Sequence, residues 1–135
     1  MNYKITDIEG IGPAYAEKLT EAKIQTTEDL LEMCSTPTGR TNVAESTGIG
    51  DSVLLKWTNM ADLMRVSGVG GQYAELLKAA GVDTIKELRN RNAENLAEKL
   101  NEINAEKKLT KGSAAVTTVQ QWVDQAKELD PRITY

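Results

Sequence analysis

Histidine is missing from this chain, and cysteine occurs only once, as Cys34. Without imidazole there can be no Ser-His-Asp triad, no Cys-His dyad and no zinc site with histidine ligands. A single cysteine also excludes an internal disulfide and a metal site made of cysteines alone. The chain is also short and has no separate catalytic motif, so we predict no catalytic residues, no metal and no cofactor, and we expect a protein that is not an enzyme. Cys34 itself is interpreted as a small buried apolar residue.

Aromatic residues, prolines and long apolar runs are scarce as well. Aromatic residues make up 4 % of the chain and none of them is Phe, so the core must be aliphatic. Three prolines and ten glycines are too few for a many-turned β-sandwich and favour short helices. No apolar run approaches the roughly 20 residues of a membrane span, and the N-terminus has no signal-peptide core. We expect an all-α, cytoplasmic protein that does not contact membranes.

Positive charge is in short supply, and it is unevenly distributed. The net charge is −4 and the pI is about 4.9, which argues against strong nonspecific attraction to nucleic acid. Residues 1–64 carry five Lys or Arg against ten Asp or Glu, giving −5. Residues 65–135 carry eleven against ten, giving +1. The first half is therefore acidic, whereas the second half is close to neutral.

An internal duplication divides the chain. Residues 8–30 align with residues 66–88, and nine of the 23 aligned positions are identical. Trp57 and Trp122 also stand at corresponding places in two later helical patterns. We predict two repeats, residues 1–64 and 65–135, packed together as one compact body. Both tryptophans are predicted to lie at the hydrophobic centre of their halves, with base stacking as the alternative, and Tyr15 and Tyr73 are predicted to be core residues.

The most informative motif is a pair of glycines around one apolar residue, followed by a helix. It occurs as Gly10-Ile11-Gly12 and again as Gly68-Val69-Gly70, with Gly71 next in line. The glycines allow a tight reversal, and the residue between them can fill the core. The helix that follows begins with N–H groups that lack intrahelical partners, and these suit a phosphate oxygen. Residues 48–50 and 111–115 are weaker copies.

These turns resemble the helix-hairpin-helix motif of DNA-binding and DNA-repair proteins. The order of the units over about residues 4–130 resembles an uncharacterised bacterial family of small tandem helix-hairpin-helix proteins, catalogued as a domain of unknown function. The resemblance implies a duplicated tandem helix-hairpin-helix bundle of short helices. It also implies that the turns hold a duplex by its backbone without reading its sequence.

Basic residues near the turns are the candidate auxiliary contacts. Arg65 and Lys78 flank the second glycine turn, and Lys107, Lys108 and Lys111 form the densest positive cluster. We predict sequence-nonspecific binding of DNA through the two turns and these side chains. The alternative is a protein–protein interaction scaffold, in which the turns serve only packing. The sequence leaves the partner and the oligomeric state open.

Two helix boundaries can be predicted from side-chain chemistry. Thr26 followed by Asp29 is typical of a capping box at the start of a helix that runs to about Cys34. Residues 37–39, Pro-Thr-Gly, are predicted to be a break, with the next helix starting near Arg40.

Overall fold

The computed structural model describes residues 2–135, and the regular secondary structure in this part of the chain is all helical. It contains one turn of 3₁₀ helix and eight α-helices: Ile5–Asp7 (3₁₀), Pro13–Glu21 (α1), Thr27–Cys34 (α2), Pro37–Thr47 (α3), Asp51–Leu63 (α4), Gly71–Ala79 (α5), Ile85–Arg89 (α6), Ala93–Lys107 (α7) and Val116–Glu128 (α8). The described residues form no strand, and their one β-type pairing is an isolated bridge between Lys4 and Thr26. The all-α prediction is confirmed.

None of the helices in residues 2–135 has both the length and the apolar character needed to cross a membrane.

The capping box at the start of α2 is confirmed. The Thr26 hydroxyl accepts a hydrogen bond from the Asp29 N–H at 3.1 Å, and the Asp29 carboxylate accepts one from the Thr26 N–H at 3.2 Å. Each bond satisfies a donor that the helix itself cannot reach. A cap of this kind stabilises a helix by about 1 kcal/mol.

The predicted break at residues 37–39 is wrong, because α3 starts there. Pro37 is the first helical residue, a position where the missing N–H costs nothing and the fixed φ suits the helix. Thr36 caps the helix by accepting from the Gly39 N–H at 3.0 Å. Gly39 is needed for another reason: a Cβ there would collide with the Met33 carbonyl oxygen at the end of α2. The glycine therefore marks a close approach of two helices.

One aliphatic core runs through the molecule. Its buried members come from both halves of the chain and include Leu19, Leu54, Leu77 and Leu100, none of which is exposed. The dominance of Leu, Ile, Val, Ala and Met follows from the lack of phenylalanine. Burying one such large aliphatic side chain contributes about 1.5–3 kcal/mol.

The last six residues cross back over the first half. The Thr134 N–H donates to the Ser35 carbonyl at 2.8 Å, and the Arg40 guanidinium donates to the Thr134 carbonyl at 2.8 Å. Arg132 forms an ion pair with Glu28 at 2.7 Å. The C-terminal segment is thereby bound to α2 and α3.

Candidate nucleic-acid interface

The two glycine turns have the same geometry. Gly10 has a φ of 96° and Gly68 a φ of 92°, a left-handed conformation that favours glycine. The apolar residue that follows is buried in both turns, since Ile11 is 5 % exposed and Val69 is fully buried. In both cases its N–H donates to the carbonyl three residues earlier. The turns are therefore fixed by the core on one side and by local hydrogen bonds on the other.

A tryptophan backs each turn. The rings of Tyr15 and Trp57 lie 5.0 Å apart in an edge arrangement, and those of Tyr73 and Trp122 are also 5.0 Å apart. A Cβ on Gly68 would lie 3.2 Å from the Trp122 indole nitrogen. Both tryptophans are 2 % exposed. Their predicted place in the core is confirmed, and burial excludes them from base stacking.

The core prediction is wrong for Tyr15. Its side chain is 41 % exposed, because the ring touches Trp57 only by an edge and the rest lies at the surface. Tyr73 is partly buried against the core. The hydrophobic spacing of the helix correctly indicated the face that Tyr15 occupies. It could not indicate that this face ends at the molecular surface.

Helix starts in this molecule fall into two groups. The starts of α2, α3, α6 and α7 have a Thr or Asn side chain that accepts from the first turn. The starts of α1, α4, α5 and α8 have no such cap; each follows a turn that the sequence singled out. Because the first N–H groups of a helix have no intrahelical partner, these four starts are the candidate anion sites.

Two carboxylates lie at the start of α5. Asp7 and Glu9 line a shallow cleft of about 480 Å³ together with Gly70, Gly71 and Gln72. Gly71 is packed so closely on the Asp7 carbonyl that a Cβ would collide with it. Both acids precede the first turn in the sequence, and folding places them beside the second turn, which sequence reasoning missed. A phosphate entering the cleft would meet two like charges.

Arg65, which was predicted to assist phosphate binding at the second turn, already has partners within the chain. The Arg65 guanidinium pairs with Asp62 at 2.8 Å and donates to the Asp130 carbonyl at 3.0 Å. Burial raises the pKa of Asp62, even though Arg65 donates to its carboxylate. Close by, the Ser67 N–H already donates to the Gln125 side chain at 2.9 Å. The structure therefore gives Arg65 a packing role between α4 and the C-terminal segment.

Lys78 is not brought to the glycine turn. It lies in a separate groove beside Lys56 and Leu55 of α4, and none of the residues lining the Gly70–Gln72 cleft lines this groove. Its distance along α5 explains the separation, since residues 71 and 78 are two helical turns apart.

The lysines around residue 110 lie beside an uncapped helix start. Lys107 ends α7, Lys108 follows it with a left-handed φ of 52°, and Lys111 is in the loop that leads into α8. All three side chains are exposed and none takes part in the ion pairs of residues 2–135. Residues 107–118 contain no carboxylate at all. We call residues 107–118 the α7–α8 turn.

Two asparagines of α7 fix the α7–α8 turn. Asn104 accepts from the Thr110 N–H at 2.9 Å and donates to the Gly112 carbonyl at 3.1 Å. Asn101 accepts from the Ala114 N–H at 2.8 Å and donates to the same residue's carbonyl at 3.1 Å. Sequence reasoning missed both residues. The available signal was two asparagines three residues apart, on one helix face, shortly before a glycine turn.

A family model described as a domain of unknown function (DUF4332) matches residues 9–129. This chain belongs to the DUF4332 family. Neither a curated protein nor a solved structure matches it. Membership of a family of unknown function is thus confirmed, whereas the bacterial origin and the helix-hairpin-helix description stay predictions.

The environment of Cys34 in the DUF4332 chain does not favour a reactive thiolate. The thiol is fully buried, and burial raises its pKa to about 11. It is therefore protonated at neutral pH, as expected for a small buried apolar residue. In residues 2–135, no three His, Cys, Asp or Glu side chains form a group that could hold a metal ion.

Proposed function

We propose that this chain is a non-catalytic DNA-binding module of two helix-hairpin-helix repeats, residues 1–64 and 65–135. It holds the sugar-phosphate backbone without reading base sequence. The φ values of 96° at Gly10 and 92° at Gly68, which differ by only 4°, and the equal ring distances behind the two turns support the duplication. The repeats share one aliphatic core, which supports a single compact body.

The α7–α8 turn is proposed as the main contact. The observation that carries this proposal is an uncapped, exposed helix start beside Lys107, Lys108 and Lys111, in a twelve-residue stretch with no acid. Free backbone N–H groups and lysine ammonium groups both favour a phosphate oxygen. The turns at residues 10–12 and 68–71 are secondary contacts, because Asp7 and Glu9 oppose a phosphate there.

A salt titration with a labelled duplex of random sequence tests the proposal. Three lysine–phosphate contacts predict a slope of about −2.7 in log K against log salt, so affinity should fall roughly 40-fold between 50 and 200 mM salt. Two unrelated duplex sequences should bind equally well. Absence of binding at 50 mM salt, or a strong preference for one sequence, would contradict the proposal.

A protein-interaction scaffold is the second candidate. It is favoured by the acidic cleft of Asp7 and Glu9 at the start of α5 and by the net charge of −4. A partner with basic side chains would fit that cleft. If the duplex fails to bind at low salt while a lysine-rich peptide shifts the NMR signals of Gly70 and Gln72, the scaffold is the better account.

A further inference from the structure

A second groove, unrelated to the α7–α8 turn, lies between α4 and α5. It measures about 300 Å³, and its apolar surface comes from Leu55, Met60 and Leu63. That volume is at the lower end of the range for small-molecule sites. No residue of the α7–α8 turn lines it.

Two lysines stand at this groove without forming an ion pair. Lys56 of α4 and Lys78 of α5 both line it, and neither belongs to the three ion pairs of the described residues. Burial lowers the pKa of Lys78 and the neighbouring Lys56 lowers it further, while the nearby carboxylates of Glu75 and Asp83 act in the opposite direction. Two ammonium groups held close together at an apolar surface repel each other, and an anion between them would relieve that repulsion.

Asp83 is the one acid among the residues that line the groove, and Glu75 of α5 lies near Lys78 without lining the groove. The Asp83 carboxylate forms no ion pair with Lys56 or Lys78. The groove thus presents two positive charges, one negative charge and an apolar floor. This combination matches an amphiphilic molecule with an anionic head.

We propose that the groove between α4 and α5 binds a small organic carboxylate with an aliphatic body. The carboxylate lies between the Lys56 and Lys78 ammonium groups, and the aliphatic chain covers Leu55, Met60 and Leu63. The polar end supplies orientation, while removal of apolar surface from water supplies most of the binding free energy. The proposal is independent of DNA binding.

Titration with three eight-carbon probes tests the proposal by NMR. Octanoate, 1-octanol and octylammonium share the aliphatic chain and differ in the charge of the head. Octanoate should give saturable amide shifts at residues 52–60 and 78–83, with a Kd below about 10 mM. Octanol should bind at least tenfold more weakly, and octylammonium should cause no saturable shift there. Equal binding of octanoate and octanol, or no saturation with octanoate, would overturn the proposal.

Double variants of Lys56 and Lys78 test whether these two side chains contact the carboxylate. Lys56→Met with Lys78→Met keeps most of the apolar stem and removes both charges, so octanoate should then bind no better than octanol. Lys56→Arg with Lys78→Arg keeps the charges and should retain octanoate binding within about threefold. Lys99→Met with Lys127→Met is the matched control and should behave as the wild type. Octanoate binding that survives the first double variant would refute the role of the lysines.

Discussion

Asn104 binds both backbone polar groups of Thr110: the Asn104 side chain accepts from the Thr110 N–H at 2.9 Å and donates to the Thr110 carbonyl at 3.2 Å. This pair of bonds sets the path of the loop that carries Lys111 and leads into α8. The order of residues 110–112 therefore depends on the uncharged Asn104 side chain, while Asn101 holds Ala114.

Asn104→Ala should loosen the turn without changing its charge. We expect a loss of about 1–3 kcal/mol in local stability, because the Thr110 and Gly112 backbone groups lose their partners. Hydrogen exchange at the Thr110 amide should become faster, and duplex affinity should fall severalfold. Asn95→Ala, at an exposed position of the same helix, is the control and should change neither. Unchanged exchange at Thr110 would contradict this account of the loop.

Gly71→Ala should destabilise the fold by about 2–3 kcal/mol, because its Cβ would collide with the Asp7 carbonyl and force the backbone apart. Gly70→Ala is the matched neighbour. Its Cβ would meet nothing within 4 Å, so the loss should stay below about 1 kcal/mol. Urea denaturation of both variants measures the difference. Equal losses would show that the close approach at Gly71 does not limit stability.

Asp7→Asn with Glu9→Gln should strengthen DNA binding. Removing two negative charges from the cleft at the start of α5 lowers the repulsion of a phosphate, and we expect a two- to fivefold gain in affinity at low salt. Glu32→Gln with Glu45→Gln changes the net charge by the same amount elsewhere. Fluorescence anisotropy with a labelled duplex compares them. If both pairs gain equally, the effect belongs to net charge and not to the cleft.

Cys34 should make stability fall at high pH. Its pKa is raised from 9.0 to about 11 in the folded chain, so the unfolded chain loses the thiol proton first as the pH rises. The free energy of unfolding should therefore drop by about 2 kcal/mol between pH 9 and 11. Denaturation of the wild type at pH 8 and 10.5 measures this drop. Cys34→Ala should show a smaller drop, and an equal drop in both would show that other groups account for it.

Local chemistry along the chain was enough to predict most helices. The Thr26 capping box and the buried tryptophans both depend on residues that are close in sequence or repeat at helical spacing. Residues 37–39 were misread because Pro and Gly have two uses. Proline can start a helix as well as end one, and Gly39 serves a contact with Met33 that only tertiary structure defines.

The candidate site was less predictable, because its contacts join residues that are distant in sequence. Asp7 and Gly71 are 64 positions apart, and nothing in their local sequence indicates that they touch. The sequence predicted Arg65 as a phosphate contact, but in the folded chain its guanidinium is bound to Asp62 and to the Asp130 carbonyl. The α7–α8 turn was accessible to sequence reasoning, because its lysines and its helix start are neighbours along the chain.

Charge reversal at the α7–α8 turn tests the central claim most directly. Lys107→Glu, Lys108→Glu and Lys111→Glu together should lower duplex affinity at 50 mM salt at least tenfold and flatten the salt dependence. Lys86→Glu, Lys99→Glu and Lys127→Glu together change the net charge equally at other exposed sites and should lower affinity about threefold or less. Equal losses in the two triple variants would contradict a DNA contact at the α7–α8 turn.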